Sequence, residues 1–241
     1  MKKILFFAAL LAISVMLASC SLDIIDPDSN TVSPAPGSTP GADGGATQPG
    51  DEPGQGNDDR EVDWDRIRAG DEDYIKGIIE ERATEVLTAI SKYDFGKLSE
   101  AVHPEKGLRF TPYGYVDAEK DIVFSADEIR NMASDQKKYV WGNYDGSGDP
   151  IELSFRDYFS RFVYDADFIN AEQVGYNKIL GQGNSVNNSF DFYRDAIIVE
   201  YHFPGIDPKY EGMDWRSLRL VFEKAGDTWY LVGIIHDEWT I

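Results

Sequence analysis

The residues best equipped for chemistry are few. There are three histidines, His103, His202 and His236. Three imidazoles could hold a zinc ion with water in the fourth position. Their spacings match no metal motif, though, and no helix would carry two of them, so no metal site is expected. His103 should end a helix and His202 should lie on a solvated strand face. His236 opens the run His236-Asp237-Glu238-Trp239 at the end of the last strand, where a histidine beside acids could serve as a general base. Strand alternation puts His236 with Val232 and Ile234, and Asp237 with Leu231 and Ile235, so only one of the two neighbours can face a cavity. Tyr113, Tyr115, Tyr158 and Tyr164, with Asp165 and Asp167, could line a ligand pocket that also takes in His202 or His236; the alternative is an aromatic core with hydrogen-bonded hydroxyls. If the domain has a titratable catalytic group, it is His236 or Asp165, and burial would lower the histidine pKa and raise the aspartate pKa. Asp145-Gly146-Ser147-Gly148-Asp149 looks like half a calcium loop, but Pro150 and Ser154 stand where an apolar residue and a glutamate belong, which leaves a tight turn. No phosphate loop and no Gly-x-Ser-x-Gly are present, and no cofactor is indicated.

The one cysteine, Cys20, has a different context. Lys2 and Lys3 precede an apolar run from Ile4 to Ile13, which is too short to span a bilayer. Leu17-Ala18-Ser19-Cys20 then supplies small residues for a peptidase and a thiol for alkylation. Residues 1–20 resemble the bacterial lipoprotein signal family at every position of its motif. The resemblance implies removal of residues 1–19 and diacylglyceryl and palmitoyl chains on Cys20. Cys20 would then be the membrane contact, on the extracytoplasmic face of the cell membrane. Two acyl chains hold durably where one does not. An acylated Cys20 leaves no thiol nucleophile and no possible internal disulfide.

From Ser21 to Arg60 the chain is rich in Pro, Gly and Asp and has no aromatic residue. Such a segment cannot bury enough apolar surface to offset chain entropy, and it is expected to be a disordered tether reaching roughly 35 Å. The organisation expected is therefore a signal peptide at 1–19, a lipidated linker at 20–65 and one domain at 66–241. A formal charge of −20 over 241 residues disfavours nucleic acid and anionic headgroups as partners.

The elements that must position these residues are legible in the last 170 residues or so. Tyr74, Ile75, Ile78, Ile79, Val86, Leu87 and Ile90 recur at helical spacing, after the acids Asp71, Glu72 and Asp73. A short helix near Phe95–Val102 should stop before His103-Pro104. Gly107–Val116 reads as an interrupted strand. Ser125-Ala126-Asp127-Glu128 is a capping box, and Ser154–Tyr164 is an aromatic helix. Ala196–Phe203, Ser217–Lys224 and Thr228–Ile235 alternate as three strands, the third apolar on both faces and hence central. Helices followed by an antiparallel meander imply an α+β fold, a curved antiparallel sheet with helices packed on one face.

The opening helix, then Lys97–Phe110, then Trp229-Tyr230-Leu231-Val232-Gly233-Ile234-Ile235-His236, resembles the cone-shaped nuclear-transport-factor and ketosteroid-isomerase-like superfold over residues 71–241. The chain is also similar to bacterial surface lipoproteins that end in a segment like Ile234–Ile241. That superfold hosts both enzymes and binders. The expectation is a membrane-tethered binding or interaction module without enzymatic activity, whose partner is a small molecule, an envelope protein or a wall component. The alternative is a pocket enzyme using acid–base chemistry in an isomerase-like cavity.

Overall fold

The structure, a computed structural model, describes residues 61–240. The expected leader, Cys20 and the Pro- and Gly-rich stretch to residue 60 lie outside the described residues. Helix α1 (Trp64–Arg68) is started by Asp63, whose side chain accepts from the Asp65 and Arg66 amides; Ile67 is buried and Trp64 packs 6.0 Å from the Trp229 ring. The boundary expected at residue 66 therefore falls inside packed structure. One buried position in five residues offers no period to read.

Helix α2 (Glu72–Ser91) is capped by Asp71 and buries Ile75, Ile79, Ala83, Val86, Leu87 and Ile90, the stripe its spacing requires. The reversal after it falls on Tyr93, with φ of +53°, rather than on a glycine. The Tyr93 ring lies 5.1 Å from Phe159 and 6.3 Å from Phe95, and this packing holds a conformation that glycine more often supplies. Asp94 caps α3 (Phe95–Ala101). There follow β1 (Leu108–Thr111), β2 (Ile122–Phe124), α4 (Ala126–Asn131), the hairpin of β3 (Lys138–Asn143) and β4 (Pro150–Ser154), and α5 (Phe155–Phe162). The expected capping box starts α4, with Ser125 and Glu128 exchanging backbone-to-side-chain bonds. The expected tight turn joins β3 to β4. β5 (Gln173–Tyr176), α6 (Ser189–Phe192), β6 (Ala196–Phe203), β7 (Arg216–Ala225) and β8 (Thr228–Glu238) complete the domain.

Six strands make one curved sheet in the order β2-β1-β8-β7-β6-β5, with β8 central as its sequence required. The expected antiparallel sheet has one exception, since β1 runs parallel to β8. The two strands are joined by no hairpin, so local pattern could not set their relative direction. Helices α1 to α5 cover one face. There the fully buried rings of Phe110, Trp141, Phe155, Tyr158, Phe159 and Phe162 interlock with Leu218, Leu220 and Ile234. Each such side chain contributes roughly 1.5–3 kcal/mol by leaving water.

The strand phase shifts once. Val221 pairs with Gly233 and Phe222 with Leu231, leaving Val232 as the extra residue of a β-bulge. Leu231 consequently joins the helix-side core with Ile234, whereas Val232 joins Val221 and Ile235 on the opposite face. The simple alternation that put Val232 with His236, and Leu231 with Asp237, is thereby corrected. The opposite face is not solvated. The segment 177–195, including α6, straps across it, burying Tyr193 against Ile198, Val232 and Val116.

Candidate functional site

The end of β8 carries charge on both faces. On the helix side, His236 is fully buried, with Nε2 3.2 Å from Asp165 Oδ2, Nδ1 3.3 Å from the Pro112 carbonyl, and the Phe162 ring edge-on at 5.6 Å. The two residues proposed from sequence are thus brought together and turned inward. Neither is free. Arg216 Nε donates to Asp165 Oδ2 at 2.9 Å, and Arg161 holds Glu238 at 2.5 Å. Burial opposes charge on Asp165, but His236, Arg216 and Arg161 outweigh it and hold its pKa below the usual carboxylate value. The expected rise is therefore reversed, because two guanidiniums and an imidazole surround the carboxylate. Asp165, His236 and Glu238 offer three ligand atoms within 4.8 Å of one another. Arg216 bonds Asp165 Oδ2 and Arg161 holds Glu238, and both guanidiniums would repel a divalent cation; Asp165 Oδ1 is buried without a hydrogen-bond partner among the described residues.

On the strap side, Arg219 and Glu200 are fully buried and directly paired across β7 and β6. Arg219 donates to Glu200 at 3.0 and 3.2 Å, to Asp237 at 2.9 Å and to the Gly181 carbonyl at 2.8 Å. Glu200 also accepts from Ser217 Oγ and from the Leu180 and Gly181 amides. Burial pushes the Asp237 pKa up, with Arg219 opposing. His202, expected on a solvated face, is buried here with Nδ1 2.8 Å from Ser217 Oγ. Burial pulls its pKa below the ordinary value, with Glu200 working in the other direction. Gly181 is indispensable in this arrangement: a Cβ would stand 2.7 Å from the Trp215 ring and 3.0 Å from His202 Nδ1. His103 is separate again, its Nδ1 accepting from the Glu105 and Lys106 amides at the other end of β8.

The tyrosines divide. Tyr113 and Tyr115 line an open groove of about 550 Å³ between the β1–β2 connection and the β3–β4 turn. Burial raises the Tyr113 pKa. Tyr158 is fully buried with its ring stacked 3.8 Å from Trp141, which lines the same groove. Tyr164 is elsewhere, donating to Asp167 and packing on Phe168.

Of the three carboxylates that line the groove, Asp117, Asp121 and Asp145, the one that burial perturbs is Asp121, which sequence reasoning passed over. Its Oδ2 accepts from Thr111 Oγ1 at 2.6 Å and from the Asp117 amide at 3.1 Å, and burial raises its pKa to about 6. The signal was weak: one acid among several in a polar insertion, made special only when β1 brings Thr111 beneath it. Among the described residues, no helix is long and apolar enough to cross a membrane.

No family model and no curated protein matches the chain. Among solved structures, a chain described as the presumed calcium/calmodulin-dependent protein kinase II association domain from Xanthomonas campestris is similar over 64% of this chain and 79% of that one. The identity is 13% and the TM-score 0.26, so the likeness carries no inference about function.

Proposed function

We propose that this is a lipid-anchored surface protein whose cone-like domain, of the nuclear-transport-factor-like type, binds a ligand without transforming it. The reading is supported above all by the filled interior. Where an isomerase-like enzyme needs a cavity around its acid and base, the helix-side space is occupied by Phe110, Trp141, Phe155, Tyr158, Phe159 and Phe162. His236 is bonded to Asp165 Oδ2, and the same oxygen accepts from Arg216. The anchor rests on residues 1–20 alone. An envelope location agrees with a chain whose single cysteine stands at the acylation position.

Two experiments test the reading. Cys20→Ser should leave the protein unprocessed or release it from membranes; normal processing with membrane retention would refute the anchor. A thermal-shift screen of the processed protein against envelope-derived small molecules should find ligands that raise the melting temperature and are recovered unchanged. Turnover of a ligand that disappears in Asp165→Asn would favour the acid–base enzyme instead.

A further inference from the structure

We propose that the groove beside the β3–β4 turn is a site for a small organic cation, with the Asp121 carboxylate meeting the ammonium group and Tyr113 and Tyr115 forming aromatic walls. The inference rests on the binding-domain reading and names the ligand class for it.

The groove has the volume of a small-ligand site, about 550 Å³. Its charge is one-sided. Lys120 is the basic residue among its lining and is tied to Asp117 at 3.1 Å; Arg109 is the cation that acts on Asp121, and Asp145 has no ion-pair partner among the described residues. Asp121 uses Oδ2 for Thr111 and the Asp117 amide, while Oδ1 accepts no hydrogen bond among the described residues. Tyr115 is 54% exposed, an accessible ring at the rim. A carboxylate beside tyrosine faces suits an ammonium group, which is attracted by both the charge and the ring quadrupole. Anionic ligands are disfavoured here and by the −20 charge of the whole chain.

A second observation is independent of the acids. The Tyr158 hydroxyl is fully buried and has no hydrogen-bond partner among the described residues. Its ring stacks on Trp141, which lines the groove. An unmatched buried hydroxyl costs stability and persists where a ligand or water completes it. Ser185 Oγ, in the groove wall, is likewise buried and unmatched.

Asp121 must be ionised to hold a cation. The groups around it are Arg109 from β1, Asp117 and Lys120 from its own loop, Tyr158 from α5 and Tyr193 beyond α6. Burial opposes the charged form, while Thr111, the Asp117 amide and Arg109 favour it, the balance lying at about 6. Affinity for a cation should therefore fall about tenfold between roughly pH 7.5 and pH 5.

The test is calorimetric titration of the processed protein with choline and with spermidine. Controls are 3,3-dimethylbutan-1-ol, the neutral isostere of choline, and cellobiose, a neutral polyol. At least one cation should bind, with the neutral isostere at least about tenfold weaker. Asp121→Asn should lose about ten- to a hundredfold. Tyr115→Ala, at an exposed position where folding is not at risk, should lose about threefold. Equal binding of the isostere, indifference to Asp121→Asn in a folded variant, or no response to either cation would overturn the proposal. Cellobiose binding that Tyr115→Ala abolishes would replace the ligand class and leave the binding-domain reading intact. Chemical conversion of a bound probe would overturn that reading instead.

Discussion

Two charged clusters lie back to back at one end of the sheet, built from alternate residues of the same two strands. Arg216, His236 and Glu238 point to the helices; Ser217, Arg219 and Asp237 point to the strap. The helix-side cluster keeps a route to water, since Arg161 is 41% exposed. The strap-side cluster has none: Arg219 and Glu200 are fully covered. The difference lies in where the missing hydrogen bonds come from. On the helix side water can reach Arg161. On the strap side the backbone of Leu180 and Gly181 must supply them, with two amides and one carbonyl aimed at Glu200 and Arg219. A dry ion cluster thus depends on a glycine loop in a way its half-wet counterpart does not.

The largest expected effect follows directly. Arg219→Met strands Glu200 and Asp237 in the interior and should cost about 3–5 kcal/mol in urea denaturation. Adding Glu200→Gln and Asp237→Asn should restore much of the loss, and a single-variant cost below about 1 kcal/mol would show that the cluster is not sealed. Gly181→Ala should cost about 1–3 kcal/mol, because the added methyl forces Trp215 and Ser217 to move. The measurement is the same denaturation curve, together with hydrogen exchange at the Leu180 amide, which should accelerate.

On the helix side, Asp165→Asn should cost about 1–2 kcal/mol at pH 7. The folded pKa of Asp165 is depressed, so its stabilisation is present above the ordinary value of 3.8 and is lost as pH falls through the lower folded value. Wild type and variant should therefore converge at strongly acid pH; a gap that persists there would mean packing, not charge, is responsible. Asp121 has the opposite sign. Its pKa is raised to about 6, so its favourable balance holds below 3.8 and is lost as pH rises through 6. With allowance for partial exposure, Asp121→Asn should stabilise the domain by about 1 kcal/mol at pH 7.5 and by nothing below pH 3.8. The smallest effect is expected for Arg161→Gln: under about 1 kcal/mol, shrinking as salt is added.

The sequence made the central architecture readable where local chemistry decided it. The α2 stripe, the Ser125–Glu128 box, the aromatic helix α5 and the β6-β7-β8 meander each carry their own signal. The Asp165–His236 meeting was anticipated only as a pair of isolated candidates. What hid their true state were Arg161 and Arg216, whose approach depends on the last turn of α5 reaching the sheet end. β5 and the strap were invisible because Gly175, Gly181 and Gly183 break any period; their role becomes clear only against Leu180, Ser217 and Trp215. Asp121 was missed because Thr111, the β1 residue that bonds it, is ten residues away.

The bulge at Val232 acts as a reading-frame mark for the end of the chain. Downstream of it, residues of even number face the helices and those of odd number face the strap, from Ile234 through Glu238. Deleting Val232 itself would remove only the unpaired residue, since Leu231 keeps Phe222, Gly233 keeps Val221 and every later side chain keeps its face. Deleting a regularly paired residue such as Ile234, with the Leu231 and Gly233 pairings held, would exchange the two sets, sending Asp237 among the aromatic rings and His236 and Glu238 under the glycine loop. One lost codon there would undo both ion clusters at once, although it removes neither a charge nor a hydrogen-bonding side chain. Beyond the bulge, insertions and deletions are more dangerous than substitutions, and a homologue that shortened β8 there would have to change its charges on both faces together.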